Sequence, residues 1–236
     1  MNYSLIKGLG ILGLAALLAA GCQTADSPEP ATEAQSASAE AKKTQVAAEN
    51  ESLSRDEKAQ IYAGYFDDSL VADRPLSDWA GDWQSVFPLL ENGDLDGVFA
   101  DKAAHSDDMT AEEYKDYYTE GYKTDIERLI ITEDSVSFFK NGEEKTGRYT
   151  YDGFEILDYE AGNRGVRFVF KLEEETDGLP RFIQFSDHAI FPTDADHYHI
   201  YFGDDREALL EEVLNWPTFY PSDMDGAGIA EEMMAH

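Results

Sequence analysis

From Ile126 onward the chain is a succession of short apolar–polar alternations cut by turn residues, and this texture limits the possible folds more than any other feature. Runs at 129–132, 135–140, 144–151, 154–159, 165–172, 181–185 and 198–203 read as about seven strands. Asp152-Gly153 has the composition of a hairpin turn, and Gly162-Asn163 separates the next two runs. Segments with helical period flank them. Ser54 and Glu57 form a capping-box pattern at the head of a helix over 54–70. Trp79, Trp83, Val86, Phe87 and Leu90 recur at helical spacing over 76–90, with Ser77 as the cap. A third helix over 110–122 carries Tyr114, Tyr117, Tyr118 and Tyr122, a stripe that reads as packing rather than as a ligand cage. Helices at 207–215 and 228–234 close the chain around a Pro-bounded loop, 216–221. The expected fold class is mainly β with added helices (α+β): one meandering antiparallel barrel or sandwich, without internal repeats.

The first fifty residues follow other rules. Lys7 precedes an apolar run, 8–18, that ends in Ala19-Ala20-Gly21 and then Cys22. This is the pattern of a secretory signal, too short and too Gly-rich for a membrane span. Small residues before a cysteine resemble a bacterial lipobox, with Leu18 one place earlier than usual; the alternative is a soluble secreted protein. Cys22 is the only cysteine, so no intramolecular disulfide can form, and lipidation explains its position better than redox chemistry. Gln23, where an aspartate is absent, resembles sorting to the outer membrane. Residues 22–53 are Ala, Glu, Ser, Thr, Gln and Pro with few large apolar side chains, which suits a tether with a reach of ~30 Å. The expected domains are therefore a signal peptide (1–21), a lipid-anchored tether (22–53) and one folded domain (54–236).

The net charge is −31. The tether holds six acids and two lysines and the leader one lysine, which leaves −28 on the folded domain. Such a surface excludes nucleic acid as a partner, because phosphate binding needs basic side chains. It either concentrates divalent cations or is a solvated acidic surface, and the second reading is the simpler.

Three of the five histidines fall within twelve residues: His188, His197 and His199. If His197-Tyr198-His199 is strand, its two imidazoles point the same way, about 7 Å apart at the backbone. A third arriving from a preceding strand end closes a tripod of the kind that holds Zn²⁺ with one open position. The residues alone leave this open against ordinary surface or interior histidines. Asp187, Asp194 and Asp196 could orient the rings, or be loop acids. His105 lies in a polar stretch between helices and reads as solvated, with a weak second metal site as the alternative. His236 is a terminal residue of the frayed kind, unless the preceding helix docks it near the tripod as an additional ligand. Ser186-Asp187-His188 cannot form a nucleophilic triad from adjacent positions, and there is no phosphate loop or dinucleotide fingerprint.

Several segments carry a family resemblance. They are Leu76 to Leu90, Tyr117-Tyr118 with Gly121-Tyr122, Thr124-Asp125-Ile126, Tyr151-Asp152-Gly153 and Gly165-Val166-Arg167-Phe168. Phe182 to His188, His197-Tyr198-His199-Ile200, Asn215-Trp216-Pro217-Thr218 and Glu231 to His236 complete the set. From about Phe66 to His236 the chain resembles the ZinT (YodA) family of periplasmic zinc-binding proteins. The resemblance implies a lipocalin/calycin-like barrel that binds Zn²⁺ at one end through His188, His197 and His199. It also implies a role in zinc acquisition, passing metal towards the solute-binding component of a high-affinity zinc ABC transporter. Two departures stand out. The His-rich segment some relatives carry near the domain's start is missing, and Gly147 and Leu172 stand where some carry a cysteine pair.

The sequence thus points to a lipid-anchored periplasmic zinc-binding protein that is not an enzyme. A zinc-dependent hydrolase or hydratase using a His₃–water site is the alternative, and a lipocalin-type carrier of an apolar ligand is a third reading. Imidazole ligation would also accept Cd²⁺, Ni²⁺, Co²⁺ and Cu²⁺.

Overall fold

The computed structural model describes residues 53–235. The signal segment, Cys22, all of the tether but Leu53, and His236 lie outside the described residues. Eight antiparallel strands close into a barrel in simple sequence order, each paired with its neighbours and the first with the last. They are β1 (Gly81–Ser85), β2 (Arg128–Ile131), β3 (Ser135–Lys140), β4 (Glu143–Asp158), β5 (Arg164–Leu172), β6 (Phe182–Ser186), β7 (Tyr198–Gly203) and β8 (Thr218–Pro221). The helices are α1 (Arg55–Tyr62), α2 (Phe87–Asn92), α3 (Asp96–His105), α4 (Ala111–Tyr122), α5 (Arg206–Glu211) and α6 (Gly226–Ala235).

Alternation along each strand sends one set of side chains into the barrel. Trp83, Leu129, Ile131, Val136, Phe138, Tyr149, Phe168, Phe170, Ile183, Phe185, Tyr198, Ile200 and Phe219 form one buried cluster drawn from all eight strands. Trp79, on a 3₁₀ turn over Leu76–Trp79, plugs it. A second cluster lies against the opposite face of β8, where Tyr220 meets Val86, Leu90, Leu95, Val98, Phe99, Tyr122, Ile229 and Met233. The barrel wall between β8 and β1 is therefore covered by α2, α3, α4 and α6.

Four expectations are corrected. The segment 76–90 is a 3₁₀ turn, then β1, then α2, because Trp83 turns into the barrel while Val86 and Leu90 face the helical cluster. The Pro-bounded segment 216–221 contains β8, which pairs with both β1 and β7. Asp152-Gly153 is a bulge: Tyr151 pairs with Phe170 and Phe154 with Phe168, so two residues of β4 oppose one of β5. Gly153 takes φ +95° there, and β4 runs on unbroken for 16 residues. The first helix ends at Tyr62 instead of Leu70, because Gly64 at φ +86° turns the chain away. The capping boxes Ser54–Glu57 and Thr110–Glu113 are both formed.

Gly147 and Leu172 do meet. A Cβ on Gly147 would stand 2.6 Å from the Leu172 Cδ1 and 2.8 Å from the Leu179 Cδ1. The leucines occupy the space that the missing side chain leaves, so packing adds here to the backbone ladder between β4 and β5.

Candidate metal centre

His197 immediately precedes β7 and His199 is its second residue. Tyr198 and Ile200 between and beside them point into the barrel, so both imidazoles point outward, towards the seam with the helical cluster. Their ring centroids are 6.1 Å apart. His188 comes from the β6–β7 connection, its ring 6.2 Å from His197 and 5.7 Å from His199. One nitrogen from each ring lies within 4.8 Å of the other two. The tripod expected from spacing is thus assembled, on the outer wall of the barrel. His188 follows the end of β6 and His197 precedes the start of β7, so the three rings lie at the end of the barrel where these strands are connected, the place the resemblance implies.

Each ring is held by neighbours distant in sequence. His199 Nδ1 lies 2.7 Å from the Thr218 hydroxyl, its cross-strand partner on β8. His197 stacks on Tyr220 at 4.9 Å and 10°. Its Nδ1 is 3.3 Å from a Glu232 carboxylate oxygen on α6, and the Tyr220 hydroxyl donates to the other oxygen. His188 stacks on Tyr62 of α1 at 4.5 Å and 21°. Its backbone has φ +64°, a left-handed conformation that few side chains adopt.

That strained turn is anchored by a buried cation. Arg74 has no exposed side-chain surface and donates to Asp187 at 2.6 Å, to Asp78 at 2.9 Å and to the Thr193 carbonyl at 2.7 Å. Its guanidinium lies 4.1 Å over the Trp79 ring, so the barrel plug and the ligand loop share one residue. Asp187 also accepts from Ala189 N–H at 3.3 Å, bracketing His188. Asp187 therefore orients the loop through Arg74. Asp194 and Asp196 are exposed and line the rim of a cavity of about 380 Å³ together with Lys58, Tyr62, His188 and Glu232.

The electrostatics favour a neutral His199. Burial, then the neighbouring His188, His197 and Arg167, hold the His199 pKa well below the ordinary histidine value. Burial, then the charges of Glu232 and Asp187, push the Tyr62 hydroxyl up to about 12, so it stays protonated. An uncharged ring nitrogen at His199 can accept a metal ion without first losing a proton.

His105 is the last residue of α3, an exposed helix end, with Nδ1 2.9 Å from the Asp101 carbonyl oxygen. Among the described residues it joins no metal-ligand group. Sequence reading missed Tyr62, Arg74, Thr218, Tyr220 and Glu232 as site residues. Thr218, in Asn215-Trp216-Pro217-Thr218, and Glu232, in the ending Glu231 to His236, fall in segments that carry the family resemblance, without a role in the site.

A closed eight-stranded meander bearing three converging imidazoles defines a lipocalin-like barrel with a candidate transition-metal centre. The family model described as "ZinT (YodA) periplasmic lipocalin-like zinc-recruitment" matches residues 57–236, and the chain belongs to that family. It is a zinc-binding protein of the ZinT type. It is similar to the "Probable metal-binding protein YrpE" of Bacillus subtilis strain 168, 54% identical over 251 residues and covering 100% of both chains. It is 49% identical over 177 residues to the zinc-binding lipoprotein AdcA of Streptococcus pneumoniae serotype 4, covering 75% of this chain and 35% of that protein. The Zn(II)-bound ZinT-like domain of S. pneumoniae AdcA superposes with a TM-score of 0.72 at 48% identity, covering 74% of this chain and 97% of that domain. Zn(II)-bound AdcA gives a TM-score of 0.73 at 49% identity over 75% of this chain and 38% of that one. The chain thus spans about a third of the AdcA protein.

Proposed function

We propose that this protein captures Zn²⁺ between His188, His197 and His199 outside the cytoplasm and passes it towards a zinc uptake system. The observation that carries this reading is the convergence of three imidazole nitrogens within 4.8 Å. Donors around a zinc ion with bonds of about 2.0–2.1 Å stand about 3.3 Å apart, inside that limit. A fourth position left to water, a carboxylate or His236 permits ligand exchange, which a carrier needs. His236 follows α6, the helix that brings Glu232 to His197.

Lipid anchoring at Cys22, at the end of the tether 22–53, would hold the domain 54–236 at a membrane surface, the outer membrane in the reading of Gln23. AdcA is named a zinc-binding lipoprotein, and the family is described as periplasmic. A domain of this type occurs within the longer AdcA chain, which supports transfer to the solute-binding component of a zinc ABC transporter. The relatives carry names of metal-binding proteins rather than enzymes. The barrel interior is filled by stacked rings, such as Trp79 on Phe185 at 4.7 Å, which speaks against a carrier of apolar ligands.

Chelator competition on the purified chain tests the site. His188→Ala, His197→Ala and His199→Ala should each weaken zinc binding by more than the roughly 10–100-fold of an outer-shell change. Stoichiometric zinc binding that survives all three single changes would refute the assignment. Parallel titrations with Cd²⁺, Ni²⁺, Co²⁺ and Cu²⁺ measure selectivity, for which ligand type alone predicts tighter Cu²⁺ binding.

A further inference from the structure

The contact between Thr218 and His199 carries information about protons as well as position. Thr218 Oγ1 lies 3.0 Å from the Trp216 carbonyl oxygen and 2.7 Å from His199 Nδ1. A threonine hydroxyl has one proton to donate and two lone pairs to accept with, whereas a carbonyl can only accept. The proton therefore goes to the Trp216 carbonyl, and the bond to the imidazole is made with a proton supplied by the ring. That places hydrogen on Nδ1 and, in a neutral ring, leaves the lone pair on Nε2.

The arrangement is braced on every side. Trp216 N–H donates to the Gly121 carbonyl at 2.6 Å. Its indole packs so closely on Gly121 that a Cβ there would stand 2.4 Å from the ring. The Asn215 Nδ2 lies 3.0, 3.1 and 2.9 Å from the carbonyl oxygens of Glu120, Gly121 and Lys123 and shares its two protons among them. Ile200 N–H, one residue beyond His199, donates to the Pro217 carbonyl at 2.9 Å. Thr218 is buried, so water does not compete for the hydroxyl. The end of α4 thereby fixes Trp216, Trp216 fixes the Thr218 proton, and Thr218 fixes the ring.

We propose that Thr218 is a positioning residue that locks His199 in the Nδ1–H tautomer and presents Nε2 to the metal. The inference rests on the zinc site proposed above. A ring locked in this way need not exchange protons between its nitrogens before it binds. Its basicity is also raised by the hydrogen bond on the far side.

The test begins with metal-free, ¹⁵N-labelled full-length protein at about pH 8, where unbound imidazoles are neutral. Long-range ¹H–¹⁵N spectra should show His199 with a protonated Nδ1 and an unprotonated Nε2. Thr218→Val should release the second tautomer and weaken zinc binding about 10–100-fold, as loss of an outer-shell partner does. Thr218→Ser, which keeps the hydroxyl, should restore both. An Nε2–H tautomer in the wild-type spectrum, or wild-type zinc affinity in Thr218→Val, overturns the proposal. If Thr218→Val does not fold, the wild-type spectrum alone decides. An Nδ1–H tautomer together with unchanged zinc affinity in His199→Ala would refute the zinc site itself while upholding the tautomer assignment.

Discussion

The two faces of β7 and β8 are built from interleaved residues and do opposite work. Tyr198, Ile200 and Phe219 point inward and join a cluster of rings and aliphatics closed to water. His199, Thr218 and Tyr220 alternate with them and, with His197, face outward into a polar seam of hydrogen bonds beneath α1 and α6. The inner face supplies stability through burial, which is insensitive to proton or metal. The outer face supplies ligands whose value depends on protonation. Strand period two lets one short stretch serve both, because neighbouring side chains never share an environment.

The largest effect that separates the faces is expected inside. Phe185 packs against Trp79, Phe170 and Tyr198, and Phe185→Ala should cost about 3–5 kcal/mol of stability. Urea unfolding of the metal-free chain measures it, and zinc affinity below the transition should stay near wild type. A variant that kept its stability but lost zinc would break the division of labour.

Arg74 joins the two faces, since it covers Trp79 and holds Asp187 beside His188. Arg74→Met leaves two carboxylates, both largely buried, without their cation, and should cost about 3 kcal/mol, the lower end for a broken buried pair. Unlike the Phe185 change, it should also weaken zinc binding, because the turn that holds His188 loses its anchor. Loss of stability with zinc affinity intact would show that the loop holds itself.

The smaller effect belongs to the outer face. His199 has its pKa depressed in the folded protein, so the unfolded chain binds more protons as pH falls through about 6.5. The sign follows: metal-free stability is highest above that value and declines as acidification proceeds towards the folded pKa, by at most about 1.4 kcal/mol per pH unit for this one group. Urea midpoints at about pH 7.5 and 5.5 should differ more in wild type than in His199→Gln, after Asp and Glu contributions common to both cancel. An identical pH dependence would mean that His199 titrates as if solvated.

Much of this contrast could be read in the chain, and the exceptions have physical causes. The stretch of β4 with one wet face, 147–150, alternates and is legible, and β5 is legible although 166–170 are all buried, because polar Arg167 and Lys171 alternate with Phe168, Phe170 and Leu172. β8 was not, because Thr218, Phe219 and Tyr220 are all buried, between the barrel on one side and helices on the other. A strand covered on both faces need not alternate, and Pro217 and Pro221 give β8 the look of a loop. β1 is five residues with one large inward ring, Trp83, which happened to fall at helical spacing from Trp79 and Phe87. The Asp152-Gly153 pair has hairpin composition, but the partner strand continues past it, which only pairing reveals. In the site, the three histidines lie close together in sequence and were visible. Their supports come from 62, 74, 218, 220 and 232, brought together by barrel closure and by the packing of α1, α6 and the Arg74 segment against it.

The central claim is that the outer-face imidazoles of His188, His197 and His199 hold the zinc ion, with a fourth position left to exchange. Anomalous diffraction at the zinc edge from crystals of the zinc-loaded chain measures this directly. A zinc peak bonded to nitrogens of His188, His197 and His199 at about 2.0–2.1 Å is the expected result. A zinc peak held by surface carboxylates, with the three rings left unligated, would contradict it.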